Sequence, residues 1–278
     1  GTNHTSMEFQ KISLYPGEGF RTPLGTALID REVVSALVNA DPDDCTLDTS
    51  LHTQEHSIEV IVPFVQVIFP NAKIVPVVVG SPDVHMCSRF GKALAKVLEN
   101  KRALIIASSD LSHYPNAKAA AAVDKETLEA ITTLDPAILR STIQSHVDRR
   151  IPHLATSACG EAPVITAMAA AKALGATRGI IVSYANSGDA LVGEQSRTVG
   201  YGAVVFTAGE TGKNAGGSDQ SAPVHFTAPL RPSDKKALLV FARETISRIL
   251  LTDTTPLARG FGPHLQKPQG VFVTLKKK

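Results

Sequence analysis

Along residues 1–207 two hydrophobic patterns alternate, and together they predict strands interleaved with helices. Short apolar runs rich in β-branched residues occupy 74–79, 103–107, 179–184 and 203–206, the composition of strands buried on both faces. Between them, apolar residues recur every three or four positions. Val33, Val34, Leu37 and Val38 follow Asp30 and predict a capped helix over 30–40. Cys87, Phe90, Leu94, Val97 and Leu98 predict another over 83–100. Asp135 before Pro136 is a capping carboxylate followed by proline at the first helical position, with Ile138, Leu139 and Ile143 behind it. The Ala-rich stretch 161–174 reads as a helix stopped by Gly175. The fold class this predicts is α/β, a mostly parallel central sheet with helices on both faces.

The pattern changes after Phe206. Residues 209–221 carry almost no apolar side chain, and the stretch 208–229 reads as a flexible linker. Beyond it, Leu238, Leu239, Phe241, Ala242, Ile246, Ile249 and Leu250 give 233–251 a helical apolar face, and 271–275 is a β-rich run. One helix and one strand cannot close a core, so 230–278 is expected to be the truncated start of a second, α+β domain. The first residue is Gly rather than Met and the β-rich run stands almost at the last, so both ends are expected to be interior to a longer fusion protein.

Charge adds little. Lys and Arg number 28 against 26 Asp and Glu, so no electrostatic footprint for nucleic acid or an anionic membrane is expected. No apolar run approaches the roughly 20 residues that span a bilayer, and the N-terminal residues do not resemble a signal peptide. Cys45, Cys87 and Cys159 are too widely and unequally spaced for a disulfide framework, which fits a reducing, cytoplasmic setting.

Four places carry residues suited to chemistry. Ser108-Ser109-Asp110-Leu111-Ser112-His113 directly follows an apolar run, where open α/β sheets bind ligands. Asp110 and His113 make an acid/base pair there, or Asp110 caps the next helix and His113 lies at the surface; spacing alone leaves both open. Cys159, just before a helix, is either structural or a thiol activated as ligand or nucleophile. His4 alone is a histidine near a terminus. His52-Thr53-Gln54-Glu55-His56 matches the H-x-x-E-H pattern of one class of zinc hydrolase, although Pro63 follows closely and no further carboxylate ligand stands out. Glu55 and Glu59 would equally serve as ordinary helix-surface charge. Nucleotide-binding and nucleophile-elbow glycine motifs are absent from the sequence.

Taken together, five segments in order resemble the MEMO family, the B component of the AmmeMemoRadiSam group. They are Gly1-Thr2-Asn3-His4; 21–25 leading to Asp30; 55–59 leading to Pro63 and Phe64; 108–113; and Cys159-Gly160. The resemblance covers 1–207 and implies a fold similar to class III extradiol dioxygenases, whose two histidines and a carboxylate hold Fe(II). In the MEMO-like pattern two histidines and a cysteine replace that set. The resemblance assigns His4 and Cys159 as metal ligands for iron or copper, and Asp110 and His113 as the catalytic pair. Glu55 and His56 fall behind them as supporting residues. The third ligand, a histidine, belongs to a segment upstream of Gly1, with the N-terminal strand.

Residues 230–278 resemble the opening of the AMMECR1 family, the A component, which implies a fused AMMECR1-like domain and, by family association, a radical SAM protein partner. The function this implies is a metal-binding protein, a redox enzyme acting on a small molecule with His113 as acid/base. The alternative is a non-catalytic peptide- or protein-binding module using the same pocket.

Overall fold

The structure, a computed structural model, describes residues 1–190 and 193–208. The expected linker beyond 208 and the second domain over 230–278 lie outside the described residues.

Strand β1 (Ile12–Leu14) is the centre of a three-stranded sheet. It pairs in parallel with β4 (Cys45–Leu47) and antiparallel with β5 (Val77–Val79). A hairpin of β2 (Gly19–Thr22) and β3 (Gly25–Leu28) leads into α1 (Arg31–Ala40). The short helix α2 (Ser50–Thr53) and α3 (Val62–Ile68) precede β5, and α4 (Val84–Leu98) follows it. Then come α5 (Ala117–Thr132), α6 (Pro136–Asp148) and α7 (Glu161–Ala173), before the long antiparallel pair β6 (Arg178–Asn186) and β7 (Gly200–Thr207).

The α/β class is as expected. In detail the described strand pairing is mixed, with parallel contacts at β1–β4 and at the isolated bridges Thr2–Val79 and Ile29–Ile74. Two of the three antiparallel pairs have a local cause: β2–β3 turns back on itself at once, and β6 returns as β7 with only a 3-10 turn between them among the described residues, whereas β1–β5 joins distant segments. The run 103–107 is no strand. Hydrophobic sequence makes a strand only when another backbone lies alongside, and here Leu104 and Ile106 stand 67% and 47% exposed. Beside them opens a slot of about 1080 Å³, lined by Val75, Val77 and Val79 on one wall and 103–107 on the other.

The helix starts follow the sequence closely. Asp30 accepts from the Val33 amide, Asp83 from Met86 and Asp135 from Ala137, each satisfying an N–H that the helix itself cannot. The stop at Gly175 is a Schellman turn: Gly175 adopts φ +92°, its N–H reaches the Lys172 carbonyl, and the Ala176 N–H reaches Ala171. Helix α7 is buried almost all round, as its uniformly apolar sequence demands, and packs on α4. Ile12, Leu14, Leu37, Phe90, Leu139, Ile165 and Met168 are the largest apolar side chains sealed in this core.

Candidate metal centre

Two loops meet at the start of α7. The Asp110 N–H donates to Cys159 Sγ at 3.2 Å, and the Cys159 N–H donates to the Asp110 carbonyl at 3.2 Å. The segment 155–156 pairs antiparallel with His113: the His113 N–H reaches the Thr156 carbonyl, and the Ala155 N–H reaches the His113 carbonyl. Gly160 is required at this crossing, because a Cβ there would lie 2.4 Å from the Ser108 carbonyl oxygen.

Asp110, His113 and Cys159 consequently offer an oxygen, a nitrogen and a sulfur within 4.8 Å of one another. His113 Nε2 lies 3.4 Å from Asp110 Oδ2, yet it is buried and makes no aligned hydrogen bond. The Asp110 carboxylate, and after it the Cys159 sulfur, raise His113 to about 9. Burial pushes the Cys159 thiol up, but contacts from His113 and His4 and the Asp110 N–H outweigh it and hold the thiol at about 6. The other two cysteines show burial without such partners, with Cys45 pushed up to about 12 and Cys87 to about 11. The arrangement, a thiol pushed down beside an imidazole pushed up, is suited to holding a metal ion or to nucleophilic attack.

His4 belongs to a second group with Glu55 and His56. Its Nδ1 lies 2.9 Å from Glu55 Oε1, and its backbone N–H donates to Glu55 Oε2. The amides of His56 and Ser57 also donate to Glu55, so four hydrogen bonds converge on a carboxylate that is 3% exposed. Those bonds overcome its burial and hold it at about 2. Glu55 thus fixes the proton on His4 Nδ1 and leaves Nε2 free to ligate, the usual relation of a carboxylate behind a metal-binding histidine. His4 itself is raised to about 9, first by its contact with Cys159 and then by Glu55. That contact links the two groups. His56 stacks on His4 with ring centroids 4.5 Å apart.

Several sequence readings need correction. The H-x-x-E-H segment is not one helix face, since α2 ends at Thr53 and Glu55 and His56 lie beyond it. His52 is buried instead against Ser13 Oγ, with Tyr15 and Phe20 around it, and belongs to neither group of metal-ligand type among the described residues. Glu55 is no helix-surface charge. Nor does Asp110 cap the following helix: Asn116 does, by accepting from Ala119. One contribution has no counterpart in the sequence reading. Buried Asp124 of α5 accepts from the Ser112 N–H at 2.8 Å and from the Tyr184 hydroxyl at 2.8 Å, bracing the residue beside His113.

Comparison with known proteins places the chain in a family. The family model described as Memo-like protein matches residues 1–205. A MEMO1 family protein of Methanopyrus kandleri is 35% identical over 214 residues, 75% of this chain and 71% of that protein. Relatives of the same family name from Aquifex aeolicus and Methanosarcina acetivorans are 35% and 36% identical, over 74% of this chain and 73% of theirs. With most of its length matched by the family model and by these relatives, the chain belongs to the Memo-like family.

Proposed function

We propose that this protein binds a redox metal ion, iron or copper, through His4 and Cys159, and uses Asp110 and His113 as an acid/base pair on a small molecule. The observation that carries the reading is the convergence of Cys159 Sγ, His113 and Asp110 within 4.8 Å of one another, with His4 raised first by its contact with the same sulfur. The donors fit such an ion: a thiolate and an imidazole whose far nitrogen is committed to Glu55 suit a borderline or soft metal better than Mg²⁺ or Ca²⁺. When bound, the ion would supply Lewis-acid or one-electron chemistry.

The chain's own residues supply the rest. His113 carries a proton at neutral pH, and Asp110, half exposed at its side, orients the ring and stabilises its charged form. The resemblance implies a histidine as the third ligand.

The resemblance of 230–278 to the AMMECR1 family supports a fused AMMECR1-like domain and, by family association, a radical SAM protein partner, and the wide, unequal spacing of Cys45, Cys87 and Cys159 supports the cytoplasm as the compartment. Among the described residues no helix is long and apolar enough to cross a membrane. The test is metal analysis of the full-length protein against Cys159→Ala after identical loading with Fe(II) and Cu(I). Stoichiometric metal in the parent and a loss of at least about tenfold in affinity in the variant are expected. Equal metal content in both would remove Cys159 as a ligand and the proposal with it.

A further inference from the structure

Away from the site, a chain of polar groups, half-exposed at Glu126 and buried at His146 and Ser157, runs from α5 through α6 to the Cys159 loop. Glu126 of α5 accepts from His146 Nε2 at 2.9 Å and from Arg149 at 2.8 Å. His146, in the last turn of α6 and 1% exposed, meets Ser157 Oγ through Nδ1 at 2.8 Å. Because a carboxylate only accepts, Nε2 carries the hydrogen, and in the neutral ring Nδ1 accepts from the serine hydroxyl.

Serine, histidine and carboxylate in this order are the grouping of a hydrolytic triad. The serine, however, is 2% exposed, and the groove of about 340 Å³ between α5 and α6 reaches Glu126 but not Ser157. No substrate carbonyl could approach it. A network whose serine and histidine are sealed from substrate has a different use: it fixes the backbone that bears it.

Ser157 stands two residues before Cys159, in a segment whose backbone is paired with 110–113 on its other side. We infer that His146 is a positioning residue, tying Ser157 to α5 and α6 so that Cys159 and His113 are held at their mutual distance. Helix α5 then secures both halves of the site, through Asp124 to Ser112 and through Glu126 and His146 to Ser157. The inference rests on the metal-binding reading for one of its two readouts only.

The test uses the full chain with His146→Leu, Ser157→Ala and the conservative His146→Gln. In metal-free protein, amide exchange at the Cys159 and His113 N–H groups is expected to speed up about five- to tenfold in the first two variants, the worth of one lost hydrogen bond. Exchange within α4 and α7 should stay unchanged, and His146→Gln should restore most of the protection. With Co(II) as probe, the thiolate-to-cobalt absorption band is expected to weaken and affinity to fall about tenfold in His146→Leu and Ser157→Ala. Unchanged exchange at those two amides overturns the tether. Faster exchange with an undiminished cobalt band shows that the loop moves without the sulfur, and overturns the positioning role. A parent protein with no cobalt–thiolate band overturns the metal reading, and the tether is then judged on exchange alone.

Discussion

The carboxylate of Glu55 accepts four hydrogen bonds deep in the chain, whereas that of Asp110 is half exposed and meets its histidine at 3.4 Å without an aligned bond. Both stand beside an imidazole raised to about 9. Yet the first is committed by four bonds, three of them at Oε1, to holding His4 and the backbone in place. The second, with His113 Nε2 unsatisfied and a thiolate next to it, keeps capacity in reserve for something outside the protein. The difference teaches that proximity of metal-type residues does not itself identify ligands; the count of commitments already made by each atom does.

The largest expected effect of breaking this contrast is on stability. Glu55→Ala strands the amides of His4, His56 and Ser57 and is expected to cost about 3 kcal/mol or more by urea unfolding. Asp110→Ala, at an exposed carboxylate, should cost less than about 1 kcal/mol. The same contrast has a pH signature in metal-free protein. Glu55 is depressed to about 2, so its stabilising contribution is complete above the ordinary carboxylate value of 4.5 and is lost as pH falls towards 2. His4 is raised, so its contribution is complete below 6.5 and is lost as pH rises through about 9. A melting temperature flat from pH 3 to pH 10 would contradict both.

Next in size is reactivity. At pH 7 iodoacetamide should label Cys159 about tenfold faster than an unperturbed thiol and leave Cys45 and Cys87 unmodified, as read by mass spectrometry. His113→Asn should move the pH midpoint of that labelling upward, since it deletes the strongest of the contacts that hold the thiol down. The smallest effect belongs to His56→Ala. Its ring is 61% exposed and stacks on His4, so about 0.5 kcal/mol is expected, with cobalt binding unchanged.

Much of the frame was legible in the residues. Capping carboxylates at Asp30 and Asp135 and the stop at Gly175 are local chemistry, and local chemistry is written in neighbouring letters. Asp110, His113 and Cys159 were legible for a similar reason, standing at a loop after an apolar run and before a helix. Helix α5 was not delimited, because its buried face includes small or polar residues such as Ala120, Asp124 and Thr127 rather than a regular stripe of large side chains. With it went Asp124 and Glu126, whose partners lie 12 to 60 positions away in the chain. The segment 103–107 looked like a strand because hydrophobicity reports burial preference and is silent on whether a neighbouring backbone is present. H-x-x-E-H misled because the pattern presumes a helix that ends at Thr53.

The acceptance of the Asp110 amide by Cys159 has a further consequence. A sulfur that is ionised at neutral pH and not fully buried is, of the three thiols described here, the one hydrogen peroxide would attack first. Adding oxygen to it would crowd the very N–H that orients it and push the two loops apart, so the ligand and the brace would fail in one event, and a thiol reductant would restore both only while the damage stopped at the sulfenic acid.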